Sequence, residues 1–169
     1  MSTPAPGFRA WLALAAGVVV VDHITKFIAS RGLSYDQPVP VFPGFNLTLL
    51  HNSGAAFSFL AEAGGWQRWL FCALALGISF YLVVLLRAAS PPAYRGGLSL
   101  ILGGAIGNLI DRINLGYVVD FIQVYYKTWF WPAFNVADSA ITLGAGLLIY
   151  STFSAHPSAN AAKSEDRWV

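Results

Sequence analysis

Between Arg68 and Arg87 lie 18 consecutive residues without a charge, Trp69 to Leu86. A run of that length is apolar on every side of a helix, and a helix of it nearly crosses the roughly 30 Å of bilayer hydrocarbon. In lipid the backbone must satisfy its own polar groups, so a helix is the form such a run takes. The remainder of the chain agrees: 56% of residues are hydrophobic and 11% charged, against about 25% charged in a soluble domain. We therefore read residues 1–169 as one integral membrane domain. The net charge of +2 is small and dispersed, which argues against a nucleic-acid partner.

Three further spans fit the same criterion less cleanly. Ala10 to Ala29 supplies 20 residues after a short polar start, with Asp22, His23, Thr25 and Lys26 at its far end. No small-x-small cleavage site follows, so this reads as an uncleaved first helix. Gly96 to Leu115 carries Gly103 and Gly107, a GxxxG face suited to close helix packing. Its uncharged part, Gly96 to Ile110, is only 15 residues long, which leaves a re-entrant segment open on length. The last span is expected over 135–155, and the polar tail 156–169 as flexible.

The connections differ from the spans in chemistry. In 30–68, Pro38, Pro40 and Pro43 forbid a long helix, while Phe45, Leu47 and Leu49 alternate with Asn46 and Thr48 as in a half-buried strand. Asn52, Ser53 and Gly54 form a turn signal, and Ala55 to Ala63 is an apolar run that predicts a short interfacial helix. Residues 116–134 form the second long connection. Four spans put both termini and the Pro91 connection on one face, with Arg9, Arg87, Arg95, Lys163 and Arg167, against Arg31, Arg68 and Lys127 opposite. This mild bias predicts cytoplasmic termini. Cys72, the single cysteine, excludes an internal disulfide.

Charge is rare enough here that each instance asks for a reason. Asp120 and Asp138 lie in the largely apolar and aromatic stretch from Gly116 to Gly144. Carboxylates in such surroundings are paired, held at the water interface, or kept for chemistry. Asp138 in Asn135-Val-Ala-Asp138 reads as a helix start, with Asn135 as N-cap. Asp120 has no such explanation, and a salt bridge to Arg112 is its structural alternative. Asp22 and Lys26 stand four apart, the favourable order for a helical ion pair, worth about 0.2–0.5 kcal/mol when exposed. Asn108 and Arg112 share one helix face. With four spans, Asp22, Lys26, Asn52, Asn108, Arg112, Asp120, Asn135 and Asp138 converge on the non-cytoplasmic face.

Two convergent carboxylates can share a proton, one activating a water while the other donates to the carbonyl under attack. The same pair can bind a cation or relay protons in a small transporter, or merely pin helices. His23, His51 and His156 have no metal-ligand spacing, there is no GxSxG elbow, and no spacing favours a serine-lysine pair of Ser53 or Ser58 with Lys26.

Five stretches in order resemble the bacterial lipoprotein signal peptidases, or signal peptidase II. They are Asp22-His-Ile-Thr-Lys26, Asn52-Ser-Gly54-Ala-Ala-Phe57-Ser, Gly103-Gly-Ala-Ile-Gly107-Asn108-Leu-Ile-Asp111-Arg112, Gly116-Tyr-Val-Val-Asp120-Phe and Phe134-Asn135-Val-Ala-Asp138-Ser139. The resemblance implies an inner-membrane aspartic endopeptidase, a four-helix bundle bearing a small extracytoplasmic β-rich platform, with its site facing the periplasm. It implies Asp120 and Asp138 as the catalytic dyad. Asn52, Gly54, Asn108, Arg112 and Asn135 would line or support the substrate pocket, braced by Asp22 and Lys26. The substrate would be a prolipoprotein carrying diacylglycerol on its cysteine, cut on the N-terminal side of that cysteine by a monomeric enzyme in contact with membrane lipid. No metal or cofactor is implied.

Overall fold

The apolar runs become helices and the proline-bounded connections become a sheet. The computed structural model describes residues 4–54 and 64–154. In chain order these form α1 (Phe8–Gly32), β1 (Val39–Phe42), β2 (Phe45–Asn52), α2 (Trp66–Leu86), α3 (Pro92–Asn114), β3 (Val118–Tyr126), β4 (Trp129–Phe130) and α4 (Val136–Ser154). The interfacial helix expected over 55–63 and the tail expected over 156–169 fall outside the described residues.

Three helices, α1, α2 and α4, are long and apolar enough to cross a membrane. Their outward faces carry large apolar side chains: Phe27 on α1 is 61% exposed, Phe80 on α2 74% and Phe153 on α4 77%. Polar groups point inward instead, and Asp22 on α1 has no exposure at all. This inside-out distribution is that of a protein whose surroundings are lipid.

Helix α3 occupies the centre and packs against each of the other three. It is the least apolar of the four and has the most buried residues, Arg95 to Ser99 and Gly107 to Leu109 among them. It is one unbroken helix of 23 residues, about 34 Å long. Glycines set its spacing. A Cβ on Gly103 would lie 2.6 Å from the Ala15 carbonyl and one on Gly107 2.8 Å from Asp22 Oδ2, so the GxxxG face meets α1. Gly97 meets α4 in the same way, 2.7 Å from the Gly144 carbonyl. One end of the bundle is closed by Ala15, Leu82, Leu86, Leu98 and Leu102.

At the other end the two connections pair into one antiparallel sheet of order β1-β2-β3-β4. Strand β2 is the alternating segment of the first connection, extended to Asn52. Strand β3 was not expected from its pattern, because Val118 to Phe121 are all buried and so show no alternation. Gly116, at φ 87°, turns the chain out of α3 into β3 while its N–H caps the Arg112 carbonyl. The register pairs Leu50 with Asp120 and Asn52 with Val118. Residues directly opposite in a sheet share a face, so Asn52 and Asp120 project together.

Candidate active site

Asp138 is delivered by the cap of α4. Asn135 Oδ1 accepts the Asp138 N–H at 2.9 Å, and Asp138 Oδ2 accepts the Asn135 N–H at 3.2 Å, a reciprocal capping box. The same Asn135, fully buried, turns its Nδ2 to Asp120 Oδ1 at 2.7 Å. Asp120 Oδ2 accepts from Asn52 Nδ2 at 3.2 Å, and Asp138 Oδ1 from Asn108 Nδ2 at 2.8 Å. Each carboxylate therefore accepts two N–H bonds, every one from an amide. No ion pair reaches either of them among the described residues.

The charges sit one layer deeper. Lys26 Nζ forms ion pairs with Asp22 Oδ2 at 2.7 Å and Asp111 Oδ2 at 2.9 Å, and donates a hydrogen bond to Asn108 Oδ1 at 2.9 Å. Asp22 Oδ1 accepts the Ala137 N–H at 2.9 Å, tying α1 to the start of α4. Arg112 lies on the other side of Asn108. Its Nη2 donates to the Gly54 carbonyl at 2.9 Å, its Nη1 to the Asn108 carbonyl at 3.4 Å, and its guanidinium lies over Phe71.

Asp120 and Asp138 open onto one cavity of about 960 Å³, whose walls include Asn52, Asn108, Arg112, Trp131, Phe134 and Leu143. The pKa of Asp120 is raised to about 7, first by burial and then by the neighbouring charge of Asp138, against the opposing hydrogen bonds of Asn52 and Asn135. Burial therefore favours the protonated form of this carboxyl well above the ordinary carboxylate range.

All nine residues singled out in the sequence meet at this end of the bundle, with differences in detail. Asn52, Asn108, Arg112, Asp120 and Asp138 line the cavity, whereas Gly54 and Asn135 stand behind its wall. The alternative salt bridge from Arg112 to Asp120 is not formed, because the guanidinium is spent on backbone carbonyls. Asp22 and Lys26 are buried at 0% and 4% exposure, so their pair is a core ion pair and not the weak exposed kind. Asp111 was overlooked as a site residue: next to Arg112 it reads as a charge at a helix end. Its signal was its position, three residues after Asn108 and so on a neighbouring part of the same helix face.

The chain is similar to known proteins over most of its length. The model of the signal peptidase (SPase) II family matches residues 14–154. The chain belongs to that family. A lipoprotein signal peptidase of Acinetobacter baumannii is 57% identical over 145 residues, 85% of this chain and 82% of that protein. One of Paraburkholderia phymatum is 47% identical over 152 residues, 89% and 92% of the two chains. Two solved structures described as bacterial membrane enzymes, obtained by the in meso method at 2.3 and 1.9 Å, share the fold with TM-scores of 0.79 and 0.74. They are 29% and 30% identical to this signal peptidase II family member, which covers 93% and 97% of their chains, and they cover 91% and 90% of it.

Proposed function

We infer that this membrane protein is an endopeptidase that removes the signal peptide from diacylglyceryl-modified prolipoproteins, with Asp120 and Asp138 as an aspartic dyad. The observation that carries this reading is that both carboxylates face one cavity, each held by two amide donors and neither by a cation. A cation would keep both ionised; amides fix their direction and leave a proton free to be shared. Membership of the signal peptidase II family favours peptide cleavage over ion transport.

In the mechanism this supports, the ionised carboxylate takes a proton from water as the water oxygen attacks the scissile carbonyl carbon. The protonated partner gives its proton to the carbonyl oxygen, forming a neutral gem-diol. Collapse then breaks the C–N bond, one hydroxyl proton returns to a carboxylate and the leaving nitrogen takes the other carboxyl proton. No covalent intermediate forms with the protein. The apolar part of the cavity wall, from Trp131 through Phe134 to Ile141 and Leu143, suits a substrate whose acyl chains stay in the bilayer. The wall includes Leu143, 65% exposed on the outward face of α4.

The same reading takes α3 as the fourth span, the chain as a single monomeric domain in the inner membrane, both termini as cytoplasmic and the sheet as extracytoplasmic. Supporting it are the length of α3 and the separation of the sheet from the apolar end of the bundle. The test is incubation of the purified chain in lipid with a diacylglyceryl-modified prolipoprotein and with its unlipidated form. Selective cleavage of the first, abolished by Asp120→Asn and by Asp138→Asn in folded protein, is the expected result. Full activity of either variant would remove the dyad from the mechanism.

A further inference from the structure

Asp111 does not line the cavity, yet one of its oxygens stands behind both carboxylates that do. Asp111 Oδ2 accepts the Lys26 ammonium at 2.9 Å and the Val119 N–H at 3.3 Å. Val119 immediately precedes Asp120, and its carbonyl accepts from Asn135 Nδ2 at 3.2 Å. The residue is thus held on both of its peptide groups, and the backbone from which Asp120 projects has little freedom. The other branch runs through Lys26, which donates to Asn108 Oδ1 and so turns the Asn108 amide hydrogens to Asp138.

We propose that Asp111 is a positioning residue of the dyad, fixing both carboxylates through Lys26 and Val119 and setting the charge behind them. The proposal rests on the peptidase reading above. Two carboxylates, Asp22 and Asp111, surround one ammonium, so the knot carries one net negative charge. The other titratable or charged groups facing this region are His23 on α1, His51 on β2, Arg68 at the start of α2, Cys72 on α2, Arg112 on α3, Asp120 on β3 and Asp138 on α4. Lys26 draws the Asp120 proton off more easily, and Asp111 lies against Lys26, so its negative charge offsets that ammonium and makes the proton harder to lose. Removing that charge should let the proton leave at lower pH.

The structure also provides a variant that separates geometry from charge. Asp111 Oδ1 has no hydrogen bond among the described residues and faces His23 Nε2 at 3.8 Å. His23 Nδ1 lies 3.0 Å from the Val19 carbonyl, so in the neutral ring Nδ1 holds the hydrogen and Nε2 is an acceptor without a hydrogen-bond partner among the described residues. In Asp111→Asn the amide oxygen can replace Oδ2 with both its bonds, while the NH2 meets His23. Asp111→Ala removes both bonds.

The experiment measures kcat, KM and the pH-rate profile of the full chain in lipid on a diacylglyceryl-modified prolipoprotein, beside Asp120→Asn as the inactive control. Asp111→Ala should lower kcat about 100-fold with KM within about twofold, as for a displaced reacting group. Asp111→Asn should recover kcat to within about tenfold of the parent and move the basic limb to lower pH by about half a unit or more. Parental kcat in Asp111→Ala, a loss confined to KM, no recovery in Asp111→Asn, or an Asn profile superimposing on the parent's would each overturn the proposal. If Asp111→Ala does not fold, the kcat and profile of Asp111→Asn decide. A parent that leaves the precursor intact, or an active Asp120→Asn, would instead overturn the peptidase reading beneath it.

Discussion

Lys26 donates to Asn108 Oδ1 at 2.9 Å across the interface of α1 and α3. An ammonium can only donate, so it admits one orientation of the Asn108 amide, with the oxygen towards Lys26 and the NH2 towards Asp138. Asn135 is fixed by the same logic. Its Oδ1 must face the Asp138 N–H, which turns its NH2 to Asp120. Two buried amides are thereby oriented by groups that cannot reverse their polarity, and they present hydrogens to Asp138 and Asp120. Fixed donors and acceptors of this kind hold the two amides in a single geometry.

Lys26→Met tests the centre of that network. The substitution leaves Asp22 and Asp111 buried without their shared cation, and stability should fall by about 3–5 kcal/mol, the usual result of breaking one side of a buried pair. Denaturation of detergent-solubilised parent and variant measures this. A variant as stable as the parent would mean that the knot is open to water.

The raised pKa of Asp120 sets a pH window. Its carboxyl gains its proton in the folded protein at about 7, above the ordinary carboxylate value of 3.8. A folded-state pKa raised in this way contributes stability that is complete below the unfolded value and is lost as pH rises through about 7. Cleavage that needs this proton should fall over the same upper range. From pH 5 to 9 the thermal midpoint should fall up to about pH 7 and level off above it, while kcat should decline above neutrality; a kcat still rising at pH 9 would contradict a protonated Asp120.

How much of this was legible depends on whether the cause is local. Asn135-Val-Ala-Asp138 declares its own helix start, and the run from Trp69 to Leu86 declares its helix, because caps and apolar length act within a few residues. The bond from Asn52 to Asp120 joins residues 68 apart and depends on the β2–β3 register, which no local pattern specifies. Burial of the Asp22–Lys26 pair was hidden for a similar reason. The i,i+4 rule gives the contact, while burial comes from Asp111, Asn108 and the start of α4 closing over it. Strand β3 is buried on both faces from Val118 to Phe121, so its sequence lacks the alternation that would have announced it.

Gly107→Ala tests the spacing that lets the pair exist. An added Cβ would meet Asp22 Oδ2 at 2.8 Å and the Ala137 side chain at 3.4 Å, so the carboxylate that holds Lys26 and the Ala137 N–H would be pushed aside. Overpacking of this kind costs about 1–3 kcal/mol. The variant should unfold earlier and lose activity through displacement of α4. Gly146→Ala is the control, since nothing lies within 4 Å of a Cβ there, and it should match the parent.

Arg112→Lys asks whether the guanidinium serves the cavity or merely reaches for the interface. Arg112 joins the Gly54 carbonyl to the Asn108 carbonyl, lies 5.2 Å from the Phe71 ring centroid and lines the cavity, while its Nε has no hydrogen-bond partner among the described residues. A lysine keeps the charge but offers one compact donor in place of a planar fork, and cannot hold both carbonyls while stacking. Cleavage should fall at least about tenfold, which corresponds to about 1.4 kcal/mol in the transition state. Stability should change by less than that, because the buried Lys26 network lies on the other side of Asn108. Parental kcat/KM in Arg112→Lys would assign Arg112 to interfacial snorkelling, while a loss of stability equal to the loss of activity would make it a structural tie between α3 and the segment after β2.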